Sequence, residues 1–99
     1  MRIIAVSTLR EFWEQPAHRA AQPALRAWVT IVKAAHWPNP VTVKTSFNTA
    51  DLLANGRVVF DIGGNKLRVV AKLNYRHQIL YVRFVGTHAQ YDKIDVNGV

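Results

Sequence analysis

The chain has 99 residues, thirteen Lys and Arg against six Asp and Glu, no cysteine, and 49% apolar residues. This is enough apolar content for a core and too much for a disordered chain, so a single domain over residues 1–99 is expected. No apolar run approaches the ~18 residues of a membrane span, the lack of cysteine excludes disulfides and thiolate chemistry, and a formal charge of +7 favours a polyanionic partner.

In chain order, Ile3, Ile4, Ala5 and Val6 form a brief apolar run that reads as a buried strand or tether. It passes straight into Ser7 and charged residues, which leaves no room for a signal-peptide core, so a cytoplasmic protein with no membrane partner is expected. Ser7 reads as an N-cap for a short helix carrying Leu9, Phe12 and Trp13 and ending near Pro16. Ala21, Leu25, Trp28, Val29 and Val32 then follow the spacing of a buried helical face, with Arg19, Arg26 and Lys33 on another side. Pro23 either bends a helix running from Pro16 to Ala35 or opens one that starts there. Trp37-Pro38-Asn39-Pro40 breaks the pattern, and Asn39 before Pro40 signals a short helical turn carrying Val41, Lys44 and Phe47. Residues 48–56 read as a polar connector with a turn at Asn55-Gly56.

The second half reads as sheet. Arg57 to Ile62, Leu67 to Asn74 and Gln78 to Gly86 are rich in Val, Ile, Phe and Tyr and should form an antiparallel meander. The fold class expected is α+β, a strand and helices packed on one face of a small sheet. Pairing Ile62 with Leu67 and Asn74 with Ile79 places Val58, Phe60, Ile62, Leu67, Val69, Ala71, Leu73, Leu80, Val82 and Phe84 on the helix-bearing face. The opposite face receives Asp61, Arg68, Lys72, Tyr81 and Arg83, with Val59, Val70 and Val85 between them. Slipping either hairpin by one residue would push arginines into the core, a cost of several kcal/mol for each unpaired charge.

Between Asp61 and Asp92 no residue is acidic, whereas Lys66, Arg68, Lys72, Arg76 and Arg83 all fall there. A solvated face usually mixes signs, so this one suggests an anionic ligand. Thr87 with Gln90 has the capping-box pattern, and the short helix it starts carries His88, Tyr91 and Asp92 on one side. An imidazole, a phenol and nearby guanidiniums suffice to cut RNA without a metal: one group takes the proton of the ribose 2′-hydroxyl, a cation stabilises the phosphorane, and another group protonates the leaving 5′-oxygen. The plainer alternative for His88 and Tyr91 is surface capping and packing. Neither metal-ligand spacing nor a Gly-rich phosphate loop is present: Gly63-Gly64-Asn65 links two strands, and no cofactor is implied.

Phe60-Asp61-Ile62-Gly63-Gly64-Asn65-Lys66-Leu67-Arg68-Val69-Val70, continued by Tyr81-Val82-Arg83-Phe84-Val85-Gly86-Thr87-His88-Ala89-Gln90-Tyr91-Asp92-Lys93, closely resembles the HigB family of bacterial toxins. Leu25-Arg26-Ala27-Trp28 and the Trp37-x-x-Pro40 break extend the resemblance over nearly the whole chain. It implies a compact RelE-like fold and a type II toxin that cleaves messenger RNA in the ribosome, held inactive by a HigA helix-turn-helix antitoxin whose complex with it binds operator DNA. By the same resemblance Arg68, Arg83, His88 and Tyr91 are the catalytic candidates. Lys66, Lys72, Arg76 and Lys93 are the RNA-binding ones. The family commonly has Asn where this chain has Asp61, opposite Arg68, where an ion pair could either hold or partly neutralise the arginine. The alternative function is a non-catalytic basic RNA-binding domain.

Overall fold

The computed structural model describes residues 1–64 and 66–99; Asn65, read from the sequence in the link Gly63-Gly64-Asn65, lies outside the described residues. Helices α1 (Val6–Trp13), α2 (Gln22–Ala34) and α3 (Pro40–Ser46) precede most of the sheet, and a one-turn helix, α4 (His88–Tyr91), follows it. The sheet is five-stranded and mixed, in the order β1-β5-β4-β3-β2, where β1 is Arg2–Ile4, β2 Asp51–Leu52, β3 Arg57–Ile62, β4 Leu67–Asn74 and β5 Ile79–Thr87. The expected meander is β3-β4-β5, with Ile62 opposite Leu67 and Asn74 opposite Ile79.

Two strands extend that meander. The apolar run at the start of the chain pairs parallel with β5, Ile3 opposite Leu80. The connector read as merely polar contributes Asp51 and Leu52, which pair with Val59 and Val58. Ser7 is not a cap: α1 begins at Val6 after an extended Ala5, with no side-chain capping bond. Pairing of Ile4 with Tyr81 fixes where the strand ends, and the chain turns into helix within a residue of it. Pro23 falls in the first turn of α2, preceded by a 3-10 segment over Pro16–Ala21, where its missing N–H costs no helical bond. Asn39 caps α3 through a reciprocal box with Thr42, and Asn55 and Gly56 both take positive φ in the turn before β3.

The helices cover one face of the sheet. Leu25, Trp28 and Val32 of α2 bury against Phe60, Val69, Ala71 and Leu80, and Trp28, Trp37, Phe47 and Phe60 form an aromatic cluster with Trp28 edge-on to Phe60 at 5.2 Å. Each such side chain taken fully from water contributes about 1.5–3 kcal/mol.

The β4–β5 hairpin carries the correction that matters for the site. A β-bulge at Val70/Ala71 makes Ala71 face Val82 and Val70 face Phe84, so Arg83 has no partner across the ladder. One extra residue on β5 reverses the faces beyond it. Phe84, expected in the core, therefore lies on the opposite face, while Val85, expected outside, packs against the core.

Candidate active site

With the bulge included, the face away from the helices resolves into cross-strand rows. At the α4 end Asp61, Arg68 and Gly86 are aligned across β3, β4 and β5. Next come Val59, Val70 and Phe84, and beyond them Arg57, Lys72 and Tyr81. Val59 and Val70 are not open spacers: they are 3% and 0% exposed and stand outside the main core cluster. The middle row is thus an apolar ridge that divides the basic face in two.

On the α4 side, Arg68 is buried, 8% exposed. Its Nε lies 2.9 Å from Asp61 Oδ1, an Nη donates to the Leu67 carbonyl at 3.3 Å, and its guanidinium sits 5.8 Å from the centre of the Tyr91 ring. Tyr91 in turn packs against Phe84, ring centres 6.5 Å apart. A cation removed from water needs a carboxylate and hydrogen-bond acceptors around it, and the departure at Asp61 supplies the first. Gly86 makes this packing possible, since a Cβ there would meet the Phe84 ring at 2.6 Å and Gln90 Oε1 at 2.8 Å.

The same strand end starts α4. The Thr87–Gln90 capping box is formed in both directions, with Gln90 N donating to Thr87 Oγ1 at 3.2 Å and Thr87 N donating to Gln90 Oε1 at 2.8 Å. The His88 amide donates to the Lys66 carbonyl at 3.1 Å, which ties α4 to the β3–β4 turn. One turn along, Asp92 Oδ2 stands 3.0 Å from His88 Nδ1, and both side chains are open to solvent. A carboxylate at Nδ1 holds the imidazole in the tautomer that carries its proton on Nδ1.

Arg68 and Tyr91 line a hollow together with Asp61, Lys44, Asn48 and Asp51. The α3–β2 residues at this rim were missed in the sequence. Their only signal was polarity, because what brings them here is the pairing of a two-residue strand. Arg83 lies elsewhere: with Lys72, Tyr75, Arg76 and Tyr81 it lines a second hollow beyond the apolar ridge. Burial raises the Tyr75 phenol above its usual pKa of 10.0. Lys66 and Lys93 are exposed before β4 and after α4. Among the described residues no cluster of three or more His, Asp or Glu could hold a metal, and no helix is long and apolar enough to cross a membrane.

A small mixed sheet backed on one face by N-terminal helices, with a basic far face ending at a short C-terminal helix, is the architecture expected of RelE-like toxins. Residues 21–94 match the family model for HigB_toxin, the RelE-like toxic component of a toxin-antitoxin system. The chain is also 35% identical over 95 residues, 93% of its own length and 88% of the relative's, to the mRNA interferase toxin HigB of Escherichia coli (strain K12). It is similarly 35% identical to the mRNA interferase HigB of Shigella flexneri, with the same coverage. To the mRNA interferase HigB of Escherichia coli O6:H1 it is 33% identical over 73 residues, 72% of this chain and 71% of the relative. The chain belongs to the HigB toxin family.

Proposed function

We propose that this chain, as one toxin domain over residues 1–99, is an mRNA interferase that cuts messenger RNA on the ribosome without a metal and is neutralised by a HigA-type antitoxin in the cytoplasm. Family membership and the activity in its relatives' names support the class of activity; the observation that carries the site is Arg68, held between Asp61 and Tyr91, at the strand end from which His88 and Asp92 project. The reaction is an internal transfer. The 2′-oxygen attacks the adjacent phosphorus and loses its proton, the bond from phosphorus to the 5′-oxygen breaks, and that oxygen gains a proton, leaving a 2′,3′-cyclic phosphate and a 5′-hydroxyl.

His88, oriented by Asp92, is the group assigned to proton transfer. Arg68 places fixed positive charge beneath the phosphorane, and its pairing with Asp61 orients that charge rather than abolishing it. Tyr91 covers Arg68 and offers a ring and a hydroxyl to the nucleotide. Lys66 and Lys93 attract flanking phosphates, and Arg83, across the ridge, acts on the strand farther from the cut. Operator DNA is met only through the antitoxin complex.

Expression of the chain alone is expected to arrest growth, and Arg68→Ala or His88→Ala to relieve it. Incubating the protein with translating ribosomes and mapping transcript ends by primer extension should reveal new 5′ ends. Full toxicity in both variants would place the site elsewhere, and a non-catalytic RNA binder would leave no new ends.

A further inference from the structure

A helix of one turn does not stand by itself: isolated helices shorter than about 12–15 residues are marginal in water. Yet α4 is the element that sets Tyr91 over Arg68, so both of its ends need holding. The N-terminal end is held by the capping box and by the bond from the His88 amide to the Lys66 carbonyl. The other end leads into residues 92–99. There the Lys93 and Ile94 amides donate to the Gln90 and Tyr91 carbonyls. The Asn97 amide donates to Asp95 Oδ1 at 3.1 Å and the Gly98 amide to the Asp95 carbonyl at 2.9 Å, which folds the segment into a turn. Past that turn the Val99 main-chain oxygen accepts from Arg57, 3.3 Å from Nε and 2.9 Å from an Nη.

Arg57 opens β3 and, by the two-residue alternation of a strand, shares a face with Val59 and Asp61. It stands across the ladder from Lys72, where like charges are unfavourable, and its guanidinium is turned to Val99 instead. The segment is therefore fastened at opposite ends of β3. Tyr91 lies over the Arg68 that pairs with Asp61, and Val99 lies at Arg57, four residues from Asp61 or about 13 Å along an extended strand. Between the two anchors is the row of Val59 and Val70, closed to water although it stands outside the main core cluster. Within the segment Ile94, Val96 and Val99 are half-buried, whereas Lys93, Asp95, Asn97 and Gly98 are exposed. Its apolar side chains are the ones turned inward.

We propose that Arg57 is a positioning residue for RNA cleavage: by fastening residues 94–99 as a strap along the ridge of Val59 and Val70, it holds the C-terminal end of α4 and keeps Tyr91 and His88 in place beside Arg68. The inference rests on the interferase reading and deepens it. Arg57 itself touches no reacting atom, and what matters is the pair of N–H groups it gives to Val99.

The test measures single-turnover cleavage on ribosomes programmed with a message, at saturation and against ribosome concentration. The proteins are the full chain and its Arg57→Ala, Arg57→Lys and Val96→Ser variants. A catalytic group misplaced by about 1 Å costs on the order of a hundredfold in rate, so Arg57→Ala is expected to lower the saturated rate by roughly ten- to a hundredfold and to leave the half-saturating concentration unchanged. Arg57→Lys keeps a donor for Val99 and should recover most of that rate. Val96→Ser leaves every charge in place and should slow cleavage in the same way, and the variant carrying both Arg57→Ala and Val96→Ser should be no slower than the slower single one, because both undo one strap. In Arg57→Ala and Val96→Ser alike the Ile94 amide should exchange faster and the Tyr91 ring resonances should move. A rise in half-saturating concentration at an unchanged saturated rate overturns the strap and makes Arg57 a contact to the message. A lowered melting temperature with the folded protein's rate and Tyr91 signals intact also overturns it, since that is a purely structural role. Should Arg57→Ala not fold, Arg57→Lys and Val96→Ser carry the same readouts. A wild-type chain that cuts no message sinks the interferase reading and takes this inference with it; a wild-type chain that cuts, with Arg57→Ala and Val96→Ser equally fast, sinks the strap alone.

Discussion

The two ends of the sheet face turned away from the helices are built from the same residue types and do opposite things with them. At the α4 end Arg68 is buried, paired with Asp61 and covered by Tyr91. At the hairpin end Lys72, Arg76 and Arg83 are exposed, without a carboxylate in their hollow. A buried charge is expensive and is kept at one place by its partners; an exposed one costs little and adapts to what arrives. The difference teaches that the count of basic residues is a poor guide to their work. A held arginine suits a reacting phosphate whose position matters to a fraction of an ångström, and free cations suit a flexible strand.

The comparison predicts unequal responses to substitution. Arg68→Ala should be the most damaging change, since it strands the Asp61 carboxylate in a partly buried site: breaking a buried pair costs about 3–5 kcal/mol, read as a lowered melting temperature together with lost RNA cleavage. A variant that melted normally would show that the pair is not buried in solution. Gly86→Ala comes next, because its Cβ would strike the Phe84 ring at 2.6 Å; overpacking of about 1–3 kcal/mol should accompany a shift in Tyr91 ring resonances. Thr87→Ala removes the cap of α4 at a cost of about 0.5–2 kcal/mol and should lower cleavage by freeing His88, with the hydrogen exchange of the Gln90 amide as the local readout. On the other side of the ridge Arg83→Ala should move the melting transition by no more than about 0.5 kcal/mol; a large loss of stability there would erase the contrast. The smallest effect concerns Tyr75. Burial raises its pKa from 10.0, so the unfolded chain loses that proton first, and the stability it contributes is complete below pH 10 and falls as pH rises through the folded value. Tyr75→Phe should flatten the stability profile above pH 10, measured by denaturant unfolding across that range.

Much of this was legible in the sequence, for identifiable reasons. The register of the first hairpin, and of the second as far as Ala71 and Val82, followed from alternation, because Val58, Phe60, Val69, Ala71 and Leu73 leave only one arrangement without buried charge. The capping boxes at Asn39 and Thr87 are local devices with local signatures. The bulge was not legible: Val82-Arg83-Phe84-Val85 can alternate in either phase, and the choice depends on Tyr91 and Gly86, which give Phe84 a place on the outer face. Ser7 misled because it is a good cap in a position that sheet pairing decides. The rim at Lys44, Asn48 and Asp51 depends on a strand too short to leave a pattern. Of the catalytic candidates, Arg68 and Tyr91 are brought into contact, His88 stands one turn from Tyr91 on α4, and Arg83 is set apart by a single inserted residue.

Strand β1 has a consequence for how the molecule comes into being. Its one neighbour in the sheet is β5, which lies most of a chain length away, and such distant pairings form late because the intervening loop must first be closed. On a ribosome, where chains emerge from the N-terminus, Arg2–Ile4 waits for Ile79–Thr87. Arg68 meets Tyr91 only after that same stretch has been made. Arg68 and Tyr91 therefore stay apart until Ile79–Thr87 and the turn of helix after it have been made.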